Sequence, residues 1–107
     1  MSLPFDSPVG AGNAIILGLT YEATAALTST DDGNNAWPDA AVSCNDSTAT
    51  TTHSIYVLPN PASGTTMITI HSTVGGVDAA IDYVQAVYAE FYNVATLSPV
   101  DVSTSNC

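Results

Sequence analysis

The chain of 107 residues contains neither lysine nor arginine. In an average protein about a quarter of the residues are charged, and roughly half of these are basic. Here ten acidic residues stand unopposed, and the formal charge is −10. Such a surface cannot neutralise phosphate groups, which excludes nucleic acid and an anionic membrane face as partners. It also leaves only His53, His71 or a free N-terminus as a cationic group for any site.

The rest of the composition favours β-structure. Serine and threonine are abundant, whereas the long helix-forming residues lysine, arginine and glutamate are absent or rare. A hydrophobic content of 46% argues against disorder. The length suits a single domain over residues 1–107, or a segment of one. We expect no membrane insertion, because no apolar run approaches the roughly 20 residues that span a bilayer.

Five segments are predicted to be strands, separated by clusters of glycine, proline and asparagine: residues 13–21, 25–30, 54–58, 65–71 and 83–92. The first is apolar at nearly every position, which predicts a strand covered on both faces, and the pattern of the last predicts that both of its faces are at least partly covered. A helix over residues 78–90 competes with the last strand, but its β-branched and aromatic residues favour the strand. Residues 45–52 are predicted to be a polar loop, and residues 74–80 a connection. The pattern predicts an antiparallel β-sandwich, jelly-roll-like or immunoglobulin-like.

Three segments, in order, resemble a β-sandwich module of large secreted bacterial proteins. Residues 7–17 are similar to its SPVTAGNLIVV-like strand, residues 30–37 to its D-x-x-G-N-x-[YW] turn, and residues 89–101 to its AEYSGVATTSPLD segment. The resemblance implies a jelly-roll-like fold, an exported, surface-associated setting and no catalytic residues.

The resemblance also implies that strands are missing at both ends, before Leu3 and after Asp101. Residues 1–3 do not open like a signal peptide, so we expect a cut from a longer precursor or an expression remnant. An incomplete sandwich exposes sheet edges that accept another strand. We therefore expect self-association through sheet edges or strand exchange, by residues 3–5 or 100–105, in a filament or surface array.

The two cysteines, Cys44 and Cys107, predict one disulfide in an exported domain. The alternative is two unpaired thiols. Asn45 begins an Asn-Asp-Ser glycosylation sequon in a polar stretch, although such sequons also arise by chance.

A turn of oxygen-bearing side chains surrounds Gly33. Asp31, Asp32 and Asn34 would suit a structural calcium ion, but Asp-Gly-Asn is equally a turn sequence. Beyond this possible calcium ion, no cofactor is expected.

The residue types that commonly support catalysis do not converge in the sequence. His53 and His71 lie near the ends of two successive strands that would pair as a hairpin, but their threonine-rich surroundings favour solvent-facing positions. Glu90 lies within the longest apolar strand, where it is either a hydrogen-bonded structural carboxyl or a solvent-facing one. An enzyme is therefore not expected.

Two functions remain. The first is a non-catalytic, secreted or cell-surface module for structural assembly or adhesion. The second is a carbohydrate-binding module that stacks polysaccharide rings on exposed aromatic residues, with Trp37 and Tyr92 as the candidates. The alternative role for Trp37 is to close one end of the sandwich.

Overall fold

Eight β-strands and no helix make up the regular structure of the described residues in the computed structural model of the chain. The model describes residues 1–46, 48, 50–80, 83–95, 97, 99–100 and 103–104. The strands are β1 (Ser2–Pro4), β2 (Ala14–Glu22), β3 (Ala25–Asp31), β4 (Val42–Asp46), β5 (Thr51–Pro59), β6 (Met67–Val74), β7 (Val77–Asp78) and β8 (Val84–Phe91).

The strands form two antiparallel sheets packed face to face. Sheet A has the order β1-β6-β3, with β7 also paired to β6, and sheet B has the order β4-β5-β2-β8. Alternate side chains of β2 and β6 point into the space between the sheets, as the period of two predicts. The buried core comprises Leu3, Val9, Ile15, Leu17, Leu19, Tyr21, Leu58, Ile68 and Ile70. The predicted antiparallel β-sandwich is confirmed.

Two segments that were predicted to be connections, residues 45–52 and 74–80, contain strand residues. Asn45 and Asp46 belong to β4, and Thr51 and Thr52 to β5, so the predicted polar loop over residues 45–52 was wrong at both ends. Threonine is β-branched and suits a strand despite its polarity, and Thr52 is buried. In the second connection, Gly75 and Gly76 both have positive φ and join β6 to β7 in a tight hairpin.

The N-terminal segment pairs within its own chain. β1 runs antiparallel to β6, with Leu3 opposite Ile68. Phe5 then packs edge-on against Tyr88 with the ring centroids 5.3 Å apart, and the Tyr88 hydroxyl donates to the carbonyl of Pro4. Leu3 is therefore a core residue and residues 3–5 contact their own chain, while strand exchange between subunits through this segment stays a prediction. The other candidate segment, residues 100–105, lies partly outside the described residues.

The last long strand, β8, is covered on only one face. Val84, Ala86 and Tyr88 pack against the core, whereas Val87 and Phe91 face outward and are 78% and 45% exposed. The prediction that both faces are at least partly covered was therefore wrong at Val87, at the middle of the outer face of β8. The described residues contain a single partner for this strand, β2, which pairs with it along its whole length. An apolar face thus lies beside an open sheet edge.

Candidate functional site

The turn after β3 is organised around one buried carboxylate. Asp31 is 9% exposed, and its Oδ1 accepts hydrogen bonds from the backbone N–H of Gly33 at 2.8 Å and from Nδ2 of Asn35 at 2.9 Å. Its Oδ2 accepts one from Nε1 of Trp37 at 2.7 Å. Only glycine fits at position 33, because a Cβ there would lie 2.3 Å from Oγ1 of Thr65. The carboxylate therefore fixes both the turn and the indole ring.

The neighbouring carboxylate serves a different contact. Asp32 accepts hydrogen bonds from the hydroxyl and the backbone N–H of Thr66 and from the backbone N–H of Met67. The hydroxyl bond, followed by the backbone bond, holds the pKa of Asp32 below its ordinary value. Asn34, with φ of 53°, occupies the left-handed region at the exposed tip of the turn. Asp31 thus accepts hydrogen bonds within its own turn and Asp32 ties that turn to the start of β6, and nothing in this geometry favours the calcium ion considered as the alternative.

The two histidines lie on different sheets. His53 is on β5 of sheet B, with its Nδ1 2.9 Å from Oγ1 of Thr20. His71 is on β6 of sheet A, with its Nε2 3.0 Å from Oδ1 of Asp78, and both of these side chains are exposed. The predicted hairpin between their strands was wrong, because the chain crosses from one sheet to the other after β5. The geometry therefore forms no joint acid–base site from them.

Glu90 is a structural carboxyl. Its side chain is half-buried on the inner face of β8, and Oε1 accepts hydrogen bonds from the backbone N–H of Gly10 at 2.8 Å and from Nδ2 of Asn13 at 2.5 Å. These bonds hold the loop before β2 against β8. The structure thus selects the hydrogen-bonded role over the solvent-facing one.

The predicted modification sites lie on or beyond the edge strand β4. Asn45 is an exposed residue of β4 opposite Thr52, but Ser47 of its sequon lies outside the described residues. Cys44 is half-buried opposite His53, whereas Cys107 also lies outside the described residues. Both the glycan and the disulfide therefore stay predictions.

The two aromatic residues predicted to bind sugar occupy different surroundings. Trp37 is half-buried and lines a cavity of about 290 Å³ between β3 and β5 at the side of the sandwich. We call this cavity the lateral cleft; its walls include Thr28, Ser29, Trp37, Asp39 and Tyr56. Tyr92, by contrast, is 76% exposed just after β8 and does not line the cleft. The cleft pairs Trp37 with Tyr56 instead.

Tyr56 is half-buried, and its ring carries a phenol hydroxyl. Burial raises the pKa of its phenol above the ordinary value, and contributions from Tyr21 and from the negative charge of Asp39 act in the same direction. The lateral cleft therefore has two aromatic side chains and a carboxylate in its lining, and this carboxylate contributes to the raised pKa of the Tyr56 phenol.

The outward-facing side of sheet B is apolar across its central strands. Gly18 of β2 lies in register with Ile55 of β5 and Val87 of β8, and Ile16 lies in register with Ala89. We call these residues, together with Phe91, the outer apolar face: Ile16, Gly18, Ile55, Val87, Ala89 and Phe91. They line a shallow groove of about 210 Å³ together with Tyr88.

Sequence reasoning noticed apolar residues on both faces of these strands but did not specify what covers the outer face. The signal was present in three segments, where apolar side chains occupy both alternating faces. Burial by a partner and burial by the chain itself produce the same pattern. Only the arrangement of the sheets distinguishes them.

No family model matches the sequence, and no curated protein or solved structure was found to be similar to it. Among the described residues, no group of three or more histidine, cysteine or acidic side chains is arranged to hold a metal ion. Within the same ranges, no helix has the length and hydropathy to cross a membrane.

Proposed function

We propose that this protein is a non-catalytic, exported structural module whose subunits join through the edges of sheet B into a filament or surface array. The observation that carries the proposal is the position of the outer apolar face directly beside the open edge of β8. Contiguous exposed apolar surface on a soluble domain marks an interaction site. An adjacent unpaired strand supplies the backbone groups for docking another strand.

The edge is suited to a second copy of the chain. β8 contains one charged residue, Glu90, which faces inward and is held by Gly10 and Asn13. A strand added to β8 would therefore meet no outward charge along its length. The chain also lacks lysine, which commonly protects exposed edges from such pairing.

The directions of the strands favour head-to-tail association. Sheet B is antiparallel throughout its order β4-β5-β2-β8, so its two edge strands, β4 and β8, run in opposite directions. Translating one copy along the sheet then brings its β4 antiparallel to the β8 of its neighbour. Such a contact does not close on itself and generates an open filament.

Charge regulates the association without preventing it. Each subunit carries a formal charge of −10, which opposes assembly at low salt. At physiological ionic strength the screening length is about 8 Å, so charges away from the interface contribute little. We expect the assembled fraction to rise with salt concentration.

Light scattering and electron microscopy in moderate salt test the proposal. Val87→Lys places a charge on the outer apolar face at a site that is 78% exposed, so the monomer keeps its fold while assembly is lost. Thr30→Lys makes the same change in charge on the outer side of sheet A and should assemble like the parent chain.

The outcomes separate the parts of the proposal. Fibres that disappear only with Val87→Lys support it. Particles that stop at dimers indicate that β8 pairs with itself and overturn the head-to-tail arrangement. A monodisperse monomer at physiological salt overturns the assembly function as a whole.

A further inference from the structure

The lateral cleft has the composition of a ligand site and lies apart from the outer apolar face. It opens between β3 of sheet A and β5 of sheet B and is bordered by the segment that follows the Asp31 turn. Its volume of about 290 Å³ is near the lower end of the range for small-molecule pockets. Its walls combine two aromatic rings with a few polar groups, as binding pockets do.

The indole ring of Trp37 is fixed before any ligand arrives. Its N–H is bonded to Oδ2 of Asp31, whose other oxygen is held by Gly33 and Asn35. The indole N–H is therefore occupied, and the side chain held by this bond lines the cleft. A side chain that is already ordered loses little entropy on binding.

The charge of the cleft selects the kind of ligand. Asp39 is an exposed carboxylate on its wall, and the whole sequence contains no lysine or arginine to neutralise it. A net charge of −10 adds a field that concentrates cations and repels anions. Aromatic faces attract cations too, and tryptophan does so most strongly.

We propose that the lateral cleft binds an organic ammonium ion, which contacts the rings of Trp37 and Tyr56 while its charge is balanced by Asp39. Thr28 and Ser29 of β3 also line the cleft and add hydroxyl groups for polar atoms of the ligand. The ammonium group has two possible sources, an amino sugar or a choline-type headgroup. This site is independent of the edge assembly proposed above.

The protein contains its own probe for binding. Trp37 is the only tryptophan in the sequence, so its fluorescence reports on the cleft alone. Titrations at low ionic strength compare glucosamine with glucose, and choline with its uncharged analogue 3,3-dimethylbutan-1-ol. We expect saturable changes with the two cations and none with their neutral counterparts. Stronger binding of glucosamine identifies an amino-sugar site, and stronger binding of choline identifies a quaternary-ammonium site.

Two variants test the walls of the cleft. Asp39→Asn removes an exposed charge without changing side-chain size, and we expect it to weaken binding about five- to tenfold. Tyr56→Leu keeps an apolar side chain but removes an aromatic wall, with an expected loss of about tenfold. Asp6→Asn is the matched control, because it removes one exposed charge outside the cleft and should leave affinity within about twofold.

Circular dichroism verifies the fold of each variant. The proposal is overturned if neither cation binds saturably, if the neutral analogues bind as tightly, or if Asp39→Asn behaves like Asp6→Asn. Assembly of Asp39→Asn should match that of the parent chain, and Val87→Lys should keep its affinity for the cations. A failure of the cleft is therefore distinguishable from a failure of the edge assembly.

Discussion

The outward-facing sides of the two sheets differ in chemistry although both belong to one sandwich. On sheet A, the outward positions of β3 and β6 are mainly threonine and histidine: Thr28, Thr30, Thr69, His71 and Thr73. On sheet B, the outward positions around Gly18 form the outer apolar face, with Ile55 45% exposed and Val87 78% exposed, while Thr20, His53 and Gln85 make the other end of that side polar. Stability of the single domain requires only one covered face per sheet. The apolar face of sheet B therefore exceeds what the folding of one chain requires, which supports the proposed assembly.

The largest effect is expected when apolar residues on the outer face of sheet B are replaced by threonine, the residue common on the outer face of sheet A. We expect the double variant Ile55→Thr/Val87→Thr to remain a monomer under conditions in which the parent chain assembles. Both side chains are substantially exposed, so each replacement should change the free energy of unfolding by only about 0.5 kcal/mol. Sedimentation velocity measures the state of association, and urea unfolding measures the free energy of unfolding. Undiminished assembly of this variant would contradict the role of the outer apolar face.

The converse substitution asks whether an apolar outer face is sufficient for association. Thr30 and Thr69 lie directly opposite each other on β3 and β6. The variant Thr30→Val/Thr69→Val creates an apolar pair on sheet A, next to the edge strand β3. We expect this pair to create a second association surface and larger particles. Association through it should be weaker than association through the wider outer apolar face of sheet B. Particle sizes equal to those of the parent chain would show that the apolar pair lacks this effect.

The stability of the two sheets should respond differently to acid, because the contact between β3 and β6 of sheet A includes the carboxylate of Asp32. Lowering the pH from 7 towards 4 reduces self-repulsion from the formal charge of −10, so stability should stay level or rise. Asp32 behaves differently, because its folded pKa lies below the ordinary value of 3.8. Its contribution is complete above the unfolded pKa and is lost as the pH falls through the lower, folded pKa.

We therefore expect β3 and β6 of sheet A to lose protection against hydrogen exchange first below about pH 4, where carboxylates begin to be protonated. Asp32→Asn should lack this step, and melting temperatures between pH 3 and 7 provide the comparison. A marked fall in stability between pH 7 and 5 would mean that other hydrogen-bonded carboxylates outweigh the relief of repulsion.

The smallest expected effect concerns the centre of the outer apolar face. A Cβ on Gly18 would meet only the carbonyl oxygen of Val87, at 3.8 Å, which is an ordinary contact. Gly18→Ala should therefore raise the free energy of unfolding by about 0.5–1 kcal/mol, because glycine within a strand loses more conformational entropy. Gly12→Ala is the contrasting variant, since Gly12 has φ of +81° and an alanine there is strained. Thermal unfolding that shows both variants destabilised equally would contradict this assignment.

Sequence reasoning located the strands better than their partners. The apolar runs predicted β2, β3, β5, β6 and β8 with shifts of a few residues, because side-chain period and turn clusters are local properties. β1, β4 and β7 were missed. β1 and β7 have only three and two residues, too few positions to show a period, and the polar end of β4, Asn45 and Asp46, fell within the predicted loop over residues 45–52. The pairing of β5 with β6 was predicted wrongly, because a strand pattern does not specify which sheet the next strand joins.

For the candidate sites, too, local features were predictable from the sequence, whereas contacts between distant segments were not. The Asp-Gly-Asn sequence indicated a turn, but the hydrogen bond from Trp37 to Asp31 depends on where the chain goes after it. Tyr56 was recognised as an aromatic residue, but its position in the lateral cleft arises from the approach of β3 and β5.

The sequence by itself determined the antiparallel β-sandwich and a surface without lysine or arginine. Alternation defines the two faces of each strand, and the formal charge of −10 depends on composition alone. Only the tertiary structure decided which face is covered. The second sheet packs on one side of sheet B, against Ile15 and Leu17, and leaves Ile55 and Val87 exposed on the other. Burial depends on contacts between segments distant in the chain, and no local pattern of residues specifies them.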